Sequence, residues 1–159
     1  MDGRENNKTD NAAGEILACI AEEAGIDGLE FDEEGRAFFE ADHMTFVFYH
    51  VEENGVESLI TTIYIAQPDI GDAGLLFSLL SGNHLWEFSG NGNLSIDRDT
   101  GHLCLCHQLG LPLPDKTEII PVLGNLAGAA AYWRDIIQQA GQHATAPLDS
   151  LPPDAYIRV

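Results

Sequence analysis

The chain has 159 residues, which fits one domain with a core that needs no disulfide or metal staple. Its 26 acidic residues against 7 basic ones give a formal net charge of −19. That balance excludes direct nucleic-acid or anionic-lipid binding, because phosphate contacts need Lys and Arg.

Residues 1–11 are polar and read as a disordered extension. Over residues 12–24, Ile16, Leu17, Ile20, Ala21 and Ala24 recur at helical spacing, and Gly25 supplies a stop. Leu29-Glu30-Phe31-Asp32, then Glu33-Glu34-Gly35, then Arg36-Ala37-Phe38-Phe39-Glu40 read as two short strands around an acidic turn. Residues 43–51 form a further strand with faces Met44/Phe46/Phe48 and Thr45/Val47/Tyr49/Val51, and Asn54-Gly55 turns it back. The returning strand, 58–66, shows Leu59/Ile63/Ile65 on one face and Ile60/Tyr64 on the other. Both faces of this sheet are apolar, so each needs cover. Helices of the domain on both sides would supply it; so would a second subunit or a ligand on one side.

Residues 74–88 are helical, with Leu75, Leu76, Leu79, Leu80 and Trp86, and Glu87 is the one charge. A helix apolar nearly all round belongs in a core or at a subunit interface, and the scarcity of helices favours the interface. Residues 94–97 and 102–107 flank a turn as a second hairpin. The longest helix, 117–140, carries a seam of Ile119, Leu123, Leu126, Ala130, Trp133 and Ile137, with Pro121 in its first turn. Residues 141–159 contain three prolines and read as an extended arm. The fold class is α+β, a mainly antiparallel sheet with three helices in an α-β-β-β-α-β-β-α-like order, with residues 12–140 as the domain.

Motifs for chemistry are few. There is no P-loop, no G-x-S-x-G and no H-E-x-x-H, so neither a catalytic site nor a cofactor is expected. His102, Cys104 and Cys106 would share one strand face, but three ligands in a row seldom converge, and free cysteines are usually small buried hydrophobes; no metal is expected. The odd count of three cysteines (Cys19 is the third), behind an N-terminus without an apolar leader, points to a reducing, cytoplasmic setting. No segment is long and apolar enough to span a bilayer.

In element order, size and acidity, residues 12–137 resemble the class I type III secretion chaperones of the Tir-chaperone type. The resemblance is carried by Leu29-Glu30-Phe31-Asp32-Glu33-Glu34-Gly35 and by the helix Leu75-Leu76-Phe77-Ser78-Leu79-Leu80-Ser81-Gly82-Asn83. Leu94-Ser95-Ile96-Asp97, Thr100-Gly101-His102-Leu103 and Tyr132-Trp133-Arg134 complete it. It implies a cytoplasmic homodimer that holds the N-terminal segment of a secreted effector extended, without ATP. Under that reading Leu29, Phe31, Phe46, Phe48, Ile63 and Ile65 mark the effector-binding patch. Leu75, Leu76, Leu79, Leu80, Trp86, Ile96 and Leu103 mark the dimer interface. A regulatory or sensory protein-binding domain on the same fold is the alternative.

Overall fold

A computed structural model of the chain describes residues 10–85 and 88–143. Helix α1, Asp10–Ala24, buries Ala13, Ile16, Leu17 and Ile20. It ends where Gly25 takes the left-handed conformation and Ile26 N–H reaches back to the Ala21 carbonyl at 2.9 Å, which satisfies a carbonyl the helix leaves open.

Three strands follow as two consecutive hairpins: β1 (Arg36–Ala41), β2 (Met44–Glu53) and β3 (Val56–Ala66). Both turns have two residues, Asp42-His43 and Asn54-Gly55, all with positive φ. That geometry matches the twist of antiparallel strands. The expected strand at Leu29-Glu30-Phe31-Asp32 does not form. Instead the Asp32 carboxylate accepts from Arg36 N–H (2.8 Å), and Asp32 N–H donates to the Arg36 carbonyl (2.7 Å). The acidic turn closes on itself and leaves no ladder for residues 29–32.

Helix α2, Ala73–Leu85, starts on the carboxylate of Asp72, which accepts from Leu75 N–H at 3.0 Å. The second hairpin pairs β4 (Asn93–Ile96) with β5 (Leu103–Gly110). A single 3-10 turn, Lys116–Glu118, leads into helix α3, Ile119–His143, with Pro121 in its first turn as expected. Residues 1–9, Trp86 and the expected arm beyond His143 lie outside the described residues.

The five strands form one antiparallel sheet in the order β1-β2-β3-β5-β4. One face supplies Phe46, Phe48, Leu59, Ile63, Leu103 and Leu105 to the core, against Ile16, Leu17, Leu126 and Trp133 of the helices. Burying each such side chain contributes about 1.5–3 kcal/mol. Trp133 is fixed further by its indole N–H, which donates to the Phe88 carbonyl at 2.7 Å. All three helices lie on this face. The opposite face is covered by no described element.

Candidate partner-binding site

An antiparallel strand turns alternate residues toward its neighbour and the rest toward the open edge. On β1, Arg36, Phe38 and Glu40 turn outward. The acidic turn already satisfies Arg36, whereas Phe38 and Glu40 have no backbone partner among the described residues. The other edge of the sheet, β4, is closed at its centre. The Asn83 side chain of α2 donates to the Leu94 carbonyl (2.8 Å) and accepts from Leu94 N–H (2.7 Å), as a neighbouring strand would. Among the described residues the sheet therefore offers one open edge.

Beside that edge lies an apolar groove of about 280 Å³ between α1 and α3, lined by Ile20, Phe39, Phe46, Ile120 and Leu123. Its floor is an aromatic stack, with the rings of Phe39 and Phe46 at 4.8 Å and an interplanar angle of 6°. Small residues on the walls, Ala24, Gly124 and Ala127, keep it open, and Glu23 is the only charged lining residue.

A second apolar surface belongs to α2. Phe77 and Leu80 are 69% and 71% exposed, and Leu76, Leu79, Leu94 and Ile96 line a hollow of about 230 Å³ beside them. No Asp, Glu, Lys or Arg occurs in Ala73–Leu85.

The residues expected to bind a partner sit deeper than anticipated. Leu29, Phe46, Phe48, Ile63 and Ile65 are buried and Phe31 is half-buried, its ring 5.9 Å from that of His50. The reason is that the helices pack on this face of the sheet. Phe46 reaches the site only as the floor of the groove. An aspartate at Phe46 or Phe48 would bury a charge in the core and unfold the protein, so these positions cannot report on binding. Of the residues expected at a dimer interface, Leu80 is open, Leu76 and Ile96 are half-buried, and Leu75, Leu79 and Leu103 belong to the core of the single chain. Trp86 lies outside the described residues. Sequence reasoning missed Ile20, Ile120 and Phe39 as groove residues and Asn83 as an edge cap.

Cys104 and Cys106 fall on one face of β5, whereas His102 precedes the strand, and no group of three potential ligands is placed to hold a metal among the described residues. Burial pushes the Cys104 thiol up to about 12. Burial also raises the Tyr64 phenol above its ordinary range.

The sequence profile of the Tir chaperone protein (CesT) family matches residues 15–134. No curated protein matches the chain significantly in sequence. Among solved structures, a chain of the ExsC–ExsE complex superposes with a TM-score of 0.68 at 23% identity, over 80% of this chain and 95% of that one. A chain of the HopA1–SchA chaperone–effector complex gives 0.64 at 14% identity, over 81% and 98%. The Yersinia pestis type III secretion chaperone SycH, in complex with a fragment of YscM2, gives 0.58 at 22% identity, over 76% and 98%. These likenesses show a shared fold.

Proposed function

Since the chain belongs to the Tir chaperone protein family, we propose that it is a cytoplasmic type III secretion chaperone that keeps a segment of a secreted effector extended. The observation that carries this reading is the apolar groove beside the open edge of β1. An extended polypeptide adds its backbone to Phe38 and Glu40 and drops alternate side chains into a neighbouring groove, the mode by which strands are added to sheets. Glu23 on the groove wall makes the site acidic and favours lysine or arginine flanking the apolar residues. Binding needs no nucleotide, because the free energy comes from buried apolar surface and backbone hydrogen bonds. Its chemistry is that of holding rather than of catalysis. The uncharged surface of α2, with Phe77 and Leu80 open, pairs two copies into a homodimer.

The test is co-expression with a secreted effector of the same host, followed by light scattering and limited proteolysis. The expected complex has two copies of the chain and one effector whose bound segment is extended. Leu123→Asp, at the groove wall, should abolish capture while circular dichroism stays native. Capture at wild-type affinity by a folded Leu123→Asp variant would remove the groove from the mechanism.

A further inference from the structure

A further hollow, of about 370 Å³, lies between α3 and the turn that follows α2, lined by Phe88, Gly90, Gly124, Asn125, Gly128 and Tyr132. Its wall is an aromatic pair. The rings of Phe88 and Tyr132 stack at 4.8 Å and 14°, yet the two residues stay 42% and 41% exposed. Trp133 holds the pair in place: its ring meets Tyr132 edge-on at 5.4 Å, and its indole N–H donates to the Phe88 carbonyl. The rings are therefore set before any ligand arrives.

The floor of the hollow is glycine where the fold asks for none. A Cβ added at Gly124 or Gly128 meets nothing within 4 Å. Alanine would fit both positions, and glycine is the costlier choice inside a helix. What glycine gives there is room for another backbone to come close. None of the described lining residues is charged, although the chain holds 26 acids. Asn125 adds a side-chain amide that can donate to a carbonyl.

Exposed rings beside an uncharged groove suit proline-containing extended segments, which have little conformational freedom left to lose. The chain itself carries such a segment. Residues 144–159 lie outside the described residues, and their sequence includes the uncharged run Leu151-Pro152-Pro153. From Tyr132 to His143 helix α3 rises about 16 Å. Residues 144–151 span up to about 26 Å when extended, which covers that rise and the reversal of direction. A seat this shallow binds weakly alone, but a segment joined to it by a short stretch of the same chain meets it at high effective concentration.

We propose that the Phe88–Tyr132 hollow is a proline-binding site whose occupant is Leu151-Pro152-Pro153 of the same chain. The pyrrolidine rings lie on the aromatic pair, the backbone passes over Gly124 and Gly128, and Asn125 donates to a carbonyl of the segment. The site goes beyond the partner groove, with which it shares only Gly124 among its lining residues.

The test is paramagnetic relaxation in the full chain. A nitroxide is attached at Ala155→Cys in a Cys19→Ser, Cys106→Ser background, with Cys104 buried. The Gly128 and Tyr132 amide signals should lose most of their intensity and regain it when the nitroxide is reduced. Pro152→Ala with Pro153→Ala should abolish this loss. Gly128→Leu should abolish it too, by filling the hollow, while circular dichroism stays native because leucine is the better helix former. Full intensity at both amides in the unsubstituted hollow would overturn the proposal, as would a loss that survives Gly128→Leu. Signal loss at Ile20 and Leu123 without loss at Gly128 would seat the segment in the partner groove and overturn it as well. In a mixture of spin-labelled and isotope-labelled chains no loss is expected; loss there would assign the occupant to a second copy and overturn the assignment to the same chain. None of these readouts uses an effector, so the partner-groove reading stands or falls separately.

Discussion

Asn83 holds Leu94 by both its backbone groups, donating to its carbonyl at 2.8 Å and accepting from its N–H at 2.7 Å. One amide side chain thereby does for β4 what a sixth strand would do. Natural sheets protect their edges by such covering, since an open edge recruits other chains. Asn83→Ala should cost about 1–3 kcal/mol through two stranded backbone groups. It should also raise the fraction of soluble oligomer seen by size-exclusion chromatography, whereas a variant that stays as well behaved as the native chain would show that the cap does not guard the edge.

Gly90 and Gly101 separate two kinds of glycine requirement. Both have positive φ, but a Cβ on Gly90 would lie 2.5 Å from the Asn125 carbonyl oxygen, whereas one on Gly101 meets nothing within 4 Å. Gly101→Ala should cost about 1 kcal/mol from backbone strain alone. Gly90→Ala should cost clearly more, because the backbone of α3 must shift as well. Urea denaturation of the two variants checks the order.

Phe48 is fully buried. Phe48→Ala should lower stability by about 3–5 kcal/mol. Loss of partner binding in that variant should track loss of native circular dichroism, unlike the loss expected from Leu123→Asp.

Asp32, Asp97 and Asp115 each sit below the ordinary carboxylate range, chiefly because the backbone N–H of Arg36, Asp99 and Thr117 respectively donates to the carboxylate. A group whose folded pKa is depressed stabilises the fold above its unfolded pKa, and that stabilisation is lost as pH falls through the folded value. Thermal unfolding should therefore lose stability on the acid side, below the ordinary carboxylate range. Asp97→Asn should flatten that limb, since an amide oxygen still accepts from Asp99 and Thr100 but does not titrate.

The Cys104 thiol, raised to about 12 by burial, stays protonated near neutral pH. It should resist alkylation in the folded chain up to about pH 9 and react at once in denaturant. Mass spectrometry after iodoacetamide treatment reads this directly.

Much of the fold was legible. The stripes Ile16, Leu17, Ile20 and Leu126, Ala130, Trp133, Ile137 have helical period, and their members are buried in the structure. Asn54-Gly55 marks its turn unmistakably, while Asp42-His43, an equally tight turn, carries no glycine to announce it. The site was less legible, for a physical reason. Period-two alternation separates Phe46 and Phe48 from Val47 and Tyr49, but it does not say which set the helices cover when both are apolar. Leu123 belongs to the helical seam by spacing, yet it lines the groove between α1 and α3 rather than the sealed core. Asn83 gives no signal at all, because its role exists only once α2 lies beside β4.

The groove draws one wall from residue 20 and the other from residues 120–127. Its neighbouring hairpin turn is held by a contact from equally far away, Arg134 Nη1 donating to the Asp42 carbonyl at 2.6 Å. During synthesis the first hairpins emerge while the segment that completes the groove is still unmade, and contacts of such long sequence separation form late. The chain therefore gains its hold on a partner only at the end of its own folding, so a half-made copy on the ribosome has no finished groove with which to compete for cargo.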